Sequence, residues 1–240
     1  MIFLFTDFGL EGPYTGQLQA VLQQQAPGVP VISLFADLTP FDIQAAAYLL
    51  PAYTAGFPPG SVFLCVVDPG VGGARPGVVV RADGRWYVGP DEGLFAILAR
   101  RAHRVECWHL PTPADASPSF HGRDVFAPLA ARLARDGNFG AGPVTTRASE
   151  RPEWPDELQR VLYIDRYGNA ITGLRATTAA GAAVLQINGH SLSQARTFSA
   201  VGSGTAFWYA NSSGLVEIAV NRGRADRLLD IAVGTTFQLS

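Results

Sequence analysis

The chain is sparing with the residues that mark several functional classes. It holds two cysteines, four histidines and one methionine in 240 residues. Cys65 and Cys107 cannot build a disulfide framework, and Cys65 sits in an apolar run as a buried thiol. Neither a close Cys pair nor a His-x-x-x-His is present, so the sequence offers no metal site. Charged residues make up 16% with a net charge of −2, which excludes a basic surface for nucleic acid or an anionic membrane. No apolar run is long enough to span a bilayer. Met1-Ile2-Phe3-Leu4-Phe5 runs into Thr6-Asp7-Phe8-Gly9 without a basic leader, which predicts a cytoplasmic protein. A Gly-x-x-x-x-Gly-Lys-Ser/Thr phosphate loop and a Gly-x-Ser-x-Gly elbow are both missing, and there is no internal repeat.

What is there is apolar and patterned. Hydrophobic residues make up 48%, enough for one large domain or two smaller ones. Ile2 to Phe5, Val29 to Phe35 and Ser61 to Val67 read as strands. Between them, Tyr14 to Gln25 has helical spacing with Leu18, Val21 and Leu22 on one face, and Pro40-Phe41-Asp42 opens a helix reaching about Tyr53. Val78 to Arg81 and Trp86 to Val88 form a hairpin around Asp83-Gly84, before a short helix from Gly93 to Arg101 and a strand from Val105 to Leu110. Pro111 to Ser119 is a loop, and a helix follows from Val125 to Arg135 with Asp124 as its expected N-cap. Alternating strands and helices predict a layered α/β domain with a mostly parallel sheet.

The texture changes near Leu158. Val161 to Ile164, Ala183 to Ile187, Thr205 to Ala210, Val216 to Val220 and Thr236 to Leu239 are short β-like runs with Gly-rich turns, and Ala176 to Ala183 is a small-residue stretch. This predicts a smaller all-β second domain, sandwich or barrel. The expected division is 1–148 for the α/β domain, 149–158 for a linker and 159–240 for the β domain.

The stretch with the most chemistry is Val66-Val67-Asp68-Pro69-Gly70-Val71-Gly72-Gly73-Ala74-Arg75. A buried strand ends on a carboxylate, glycines allow a tight turn, and a guanidinium returns after it. Asp7 ends the first strand, and Phe120-His121-Gly122-Arg123-Asp124 forms a third polar cluster. In an open sheet such loops converge on one edge. A carboxylate, an Arg and a His together can orient and polarise a water. The same residues also fit a tight turn, a solvated Arg and a helix-start His. Asp7 suits either a turn or the two hydroxyls of a ribose. In the second domain, Asp165-Arg166-Tyr167-Gly168-Asn169 and Asn211-Ser212-Ser213-Gly214-Leu215 are polar strand-end loops. Taken alone they read first as ordinary turns; the alternative is an amide that matches an adenine edge beside a stacking aromatic.

The order of these motifs is more telling than any one of them. Thr6-Asp7-Phe8-Gly9, the Asp68 to Arg75 stretch, Gly89-Pro90-Asp91-x-Gly93, Phe120 to Pro128, Tyr167-Gly168-Asn169 and Asn211-Ser212-x-Gly214-Leu215 stand in sequence. The chain resembles the S-adenosyl-L-methionine hydroxide adenosyltransferases, relatives of fluorinase and chlorinase, from Phe5 to about Ala225. The resemblance implies hydrolysis of S-adenosyl-L-methionine to adenosine and methionine, with that compound as substrate and no metal or other cofactor. It implies an α/β domain before a barrel-like β domain, and a homotrimer with each active site between subunits. It places the catalytic roles on Asp68, Arg75 and His121. Substrate contacts fall on Asp7, Phe8, Phe41, Asp165, Tyr167, Asn169, Phe207, Asn211 and Ser212. Among these, Asp7 would bind ribose, Phe41 line the sugar, Asp165 bind methionine, Tyr167 stack on the base, Asn169 read adenine and Ser212 meet the carboxylate. The chain departs from the family pattern at Gln19, Ser33, Ala36, Glu92 and Gly173.

Overall fold

The computed structural model describes residues 1–138, 144–145, 148–179, 181 and 184–240; the side chains of 144 and 145 are not included. These residues form two compact units, Met1–Pro152 and Glu153–Ser240.

The first unit is built on a seven-stranded sheet. Its strands are β1 (Ile2–Thr6), β2 (Val31–Phe35), β3 (Val62–Val66), β4 (Gly77–Ala82), β5 (Arg85–Pro90), β6 (Val105–Leu110) and β7 (Val144–Thr145), in the order β2-β1-β3-β5-β4-β6-β7. β2, β1, β3 and β5 are parallel neighbours, while β4 and β7 run against the rest. β1 and β3 are buried along their whole length because both sheet faces are covered. Residues of alternating parity serve opposite faces. Ile2, Leu4, Val62 and Leu64 pack against Leu18 and Leu22 of α1 (Tyr14–Gln25) and Ala127, Ala130 and Leu133 of α4 (Ala127–Asp136). On the other face Phe3, Phe63 and Tyr87 stack across β1, β3 and β5, with ring centroids 5.0 Å apart in each pair. Tyr53 of α2 (Ile43–Thr54) and Phe95, just before α3 (Ala96–Arg101), meet aromatic rings of this face. The β4–β5 hairpin turns at Asp83 and Gly84, both with positive φ, as its tight turn requires.

The helix expected from Val125 starts earlier, and Asp124 is not its N-cap. Helical geometry begins at His121 and passes through a π-helical turn, Gly122–Phe126, before α4. Pro128 has no N–H for the usual i→i−4 bond, and the Ala127 N–H reaches back five residues to the Gly122 carbonyl instead. Asp124 is thus inside the turn, where its carboxylate accepts the Ser117 N–H at 3.0 Å and pairs with Arg123. The expected linker 149–158 opens with residues fastened to the first unit. Ser149 donates its N–H to Asp91 Oδ1 at 2.7 Å, and Arg151 donates to the Glu92 carbonyl.

Among the described residues the second unit has seven strands: β8 (Leu158–Ile164), β9 (Ala170–Arg175), β10 (Val184–Ile187), β11 (His190–Ser193), β12 (Ala206–Ala210), β13 (Leu215–Val220) and β14 (Gln238–Leu239). They form a sheet β12-β13-β9-β8 and a sheet β11-β10-β14. Single bridges Arg160↔Thr236 and Gln194↔Trp208 join the two sheets at both edges, so the unit closes as a barrel around Trp208, Leu185, Val216 and Ile218. Among the described residues, a helical turn, α5 (Ala225–Leu228), and a short 3₁₀ turn at Phe198–Ala200 are its departures from all-β structure. Strands β9 and β11 were not expected from the sequence. Position 183 of the run expected at 183–187, and positions 180, 182 and 183 of the small-residue stretch, lie outside the described residues. Among the described residues no helix is long and apolar enough to cross a membrane.

Candidate active site

β1 and β3 are parallel neighbours in register, with Thr6 beside Val66. The chain therefore leaves the same sheet edge twice, and Asp7 and Asp68 come to stand near one another. Asp68 helps to raise the Asp7 pKa, although burial is the larger cause and the Phe41 N–H, donated to Asp7 Oδ2 at 3.0 Å, opposes it. Phe41 adopts φ +65°, a conformation that costs a non-glycine residue energy and recurs at binding sites. Its ring is 74% exposed, so it packs little of its own chain and is available as a wall.

Beyond Asp68 the loop folds back through Gly72, at φ +80°. A Cβ there would lie 2.5 Å from the Pro118 carbonyl oxygen, so the position requires glycine twice over. The return places Arg75 against Asp68 in a two-pronged ion pair. Nε donates to Oδ1 at 2.7 Å, and Nη2 donates to Oδ2. Nη2 also donates to His121 Nδ1 at 2.9 Å, and the guanidinium lies over the Phe126 ring. The Asp68 and Arg75 side chains are only 6% and 5% exposed. A guanidinium has hydrogen to give and no lone pair, so Nδ1 is an acceptor and a neutral ring carries its proton on Nε2. Burial first, and Arg75 second, hold the His121 pKa below the ordinary imidazole value; Asp68 and Asp124 oppose them.

These groups share one cavity of about 330 Å³. Asp7, Phe8, Phe41, Asp68 and His121 line it, together with Tyr14 and Phe120. Phe8, Tyr14 and Phe120 form a ring cluster with centroids 5.4 to 5.8 Å apart. The cavity thus combines ionisable groups with aromatic rings and has the size small-molecule sites have. Sequence reading missed Tyr14 and Phe120. Tyr14 opens α1 after the Asp7 loop, and Phe120 stands inside the His121 motif, where the sequence assigns it no role of its own. Of the departures from the family pattern, Ala36 serves through its backbone, accepting the Gly9 N–H at 2.6 Å, and the Glu92 carboxylate abuts Gly70.

The second unit carries the other candidates on two turns, one between β8 and β9 and one between β12 and β13. Asp165 Oδ1 accepts the N–H groups of Tyr167 and Asn169, both at 2.9 Å, and Oδ2 accepts Asn169 Nδ2 at 3.1 Å. The acid therefore shapes its own loop. Gly168 closes that loop at φ +84°, where a Cβ would strike Asp226 and Arg224. Tyr167 is 74% exposed. Asn211 Oδ1 accepts the N–H groups of Ser213 and Leu215, leaving Ser212 exposed on the turn. Phe207 is buried behind Phe198 and Tyr209. Glu217, which the sequence did not single out, is buried beneath Tyr209 and Asn211. Among the described residues no cluster of His, Cys, Asp and Glu is arranged to hold a metal ion.

The family model for the SAM hydroxide adenosyltransferase N-terminal domain matches residues 2–141, and that for the C-terminal domain matches residues 159–238. A Thermus thermophilus protein named (R)-S-adenosyl-L-methionine hydrolase is 41% identical, over 99% of this chain and 98% of its own. A fluorinase from an Actinoplanes species is 24% identical over 56% of this chain and 54% of its own. The crystal structure of a conserved protein from Thermotoga maritima superposes with a TM-score of 0.90 at 27% identity, covering 100% of this chain and 99% of that one. With both family models matched in order along nearly the whole chain, it belongs to the SAM hydroxide adenosyltransferase family.

Proposed function

We propose that this protein hydrolyses S-adenosyl-L-methionine to adenosine and L-methionine. The supporting observation is the Asp68–Arg75–His121 network, whose Asp68 and His121 line an aromatic cavity together with Asp7. The substrate is a sulfonium, so its 5′ carbon is already activated. Water attacks that carbon, the C5′–S bond breaks, and its electron pair leaves on a neutral thioether. What the protein must add is placement of one water in line with the bond, and exclusion of the rest. Asp68 carries lone pairs beyond those shared with Arg75 and takes the water's proton. His121, neutral and held by Arg75, presents Nε2–H to the water oxygen. Arg75 remains charged and keeps both partners in place. Asp7 accepts from the ribose hydroxyls, with Phe8 and Phe41 as walls. The neighbouring subunit of a homotrimer brings the second-unit groups. Tyr167 stacks on the base, Asn169 reads its edge, Asp165 and Ser212 hold the amino-acid end, and Asn211 and Phe207 shape that surface. Neither metal nor cofactor is needed, because the leaving group needs no further activation. The free thiols Cys65 and Cys107 suit a cytoplasmic location.

A halide in place of water would yield a 5′-haloadenosine. The buried Asp68 carboxylate disfavours an anion there, even with Arg75 beside it. A binding protein without activity would need Asp7 and Asn169 but not the charged network. Incubation with S-adenosyl-L-methionine in chelator-treated buffer, with and without chloride, should give adenosine and methionine in equal amounts. Formation of 5′-chloroadenosine, or recovery of intact substrate, would refute the reading.

A further inference from the structure

Glu217 is a buried acid that the hydrolysis scheme leaves unused. It lies on β13 directly opposite Tyr209 of β12 and is 5% exposed. Tyr209 donates its hydroxyl to Oε1 at 2.6 Å, and Asn211 donates Nδ2 to Oε2 at 3.0 Å. Among the described residues it has no ion-pair partner. Burial pushes its pKa up and Asp165 adds to the push, while the two hydrogen bonds resist. A carboxylate is kept in such a place at a cost, and its two donors are what it acts on.

The Asn211 amide shows what that action is. Its oxygen accepts from Ser213 and Leu215, both at 3.0 Å, and the Gly214 N–H closes on the Asn211 carbonyl. That arrangement requires the amide nitrogen to face the other way, towards Glu217. We infer that Glu217 is a positioning residue. By holding the Asn211 amide and the Tyr209 hydroxyl, it fixes the turn that presents Ser212 to the carboxylate end of the substrate. The inference rests on the proposed contact of Ser212 with that carboxylate. It assigns Glu217 a geometric role, not a direct electrostatic one towards the cationic substrate.

Two substitutions separate geometry from charge. Glu217→Gln removes the charge and keeps the reach. Its carbonyl accepts from Asn211, and its amide donates to the Tyr209 oxygen, whose hydrogen is free to turn. Glu217→Asp keeps the charge and shortens the reach by one methylene. Steady-state kinetics should show KM raised about tenfold by Glu217→Asp, the effect of one misplaced buried hydrogen bond. The kcat should stay within about twofold, and Glu217→Gln should sit near wild type. The reverse pattern, with Gln raising KM and Asp silent, would overturn the inference, as would a fall in kcat alone. Ser212→Ala tells this failure from that of its premise. If Ser212→Ala raises KM while both Glu217 variants are silent, the positioning role is wrong and the contact stands. If Ser212→Ala is silent while the wild type still turns over, the contact and the positioning role fall together and hydrolysis stands.

Discussion

At the scale of single residues, the two acids at the sheet edge have different partners and should fail differently. Asp68 shares its carboxylate with a buried guanidinium, so Asp68→Ala would strand Arg75 at a cost of ~3–5 kcal/mol. Asp68→Asn, which retains one acceptor, is the better variant. It should lower kcat by ~10²-fold, the usual effect of losing a proton acceptor at a reacting centre, with little change in substrate affinity. Asp7→Asn should weaken binding by about tenfold through its ribose contact, with a smaller effect on kcat. Calorimetric titration beside single-turnover kinetics checks the split, and an exchange of the two phenotypes would reverse the assignments. His121 sets the acid limit. Its pKa is depressed, so the ring is neutral at pH 7, and Nδ1 must stay unprotonated to accept from Arg75. The kcat should fall as pH drops, with a midpoint below the ordinary imidazole value of about 6.5. Stability follows the same sign. The unfolded chain binds this proton at higher pH than the folded one, so His121's contribution is intact above the unfolded value. It declines as pH falls from there and levels off below the folded value. A kcat that does not fall on the acid side of neutrality would contradict this role.

At the scale of elements, the catalytic loop depends on close backbone approach. Gly72→Ala forces a side chain towards the Pro118 carbonyl in a left-handed conformation. It should destabilise the protein by ~1–3 kcal/mol and lower turnover by displacing Arg75. A melting temperature and activity both equal to wild type would show that the loop has room the structure does not show. Much of this level was legible in the sequence. α1 and β6 have the bounds that apolar spacing gave them, and α2 opens where Pro40-Phe41-Asp42 set its start, with Asp42 accepting the Ala45 N–H at 2.8 Å. The π-helical turn was not legible, because a missing N–H at Pro128 changes hydrogen bonding rather than hydrophobic pattern. β9 and β11 escaped for a related reason. Ala170 to Arg175 carries Thr172 and Gly173 where β-branched apolar residues would mark a strand, and His190 to Ser193 holds a single buried apolar residue, Leu192. Glu217 was hidden inside a run that reads as core.

At the scale of the whole molecule, the proposed homotrimer draws each site from two subunits. Asp68→Asn and Asn169→Ala chains, each nearly inactive alone, should regain activity when unfolded together and reassembled. In a random homotrimer about one site in four would then combine an intact first unit with an intact neighbouring second unit. Mixed assemblies without activity would show that each chain completes its own site. The proposed chemistry turns on one water, placed beside Asp68, Arg75 and His121, that attacks C5′. Single-turnover hydrolysis in oxygen-18 water, with mass spectrometry of the products, tests it most directly. One heavy oxygen is expected in adenosine, at the 5′ position, and none in methionine. Unlabelled adenosine, or label in the amino acid, would contradict it.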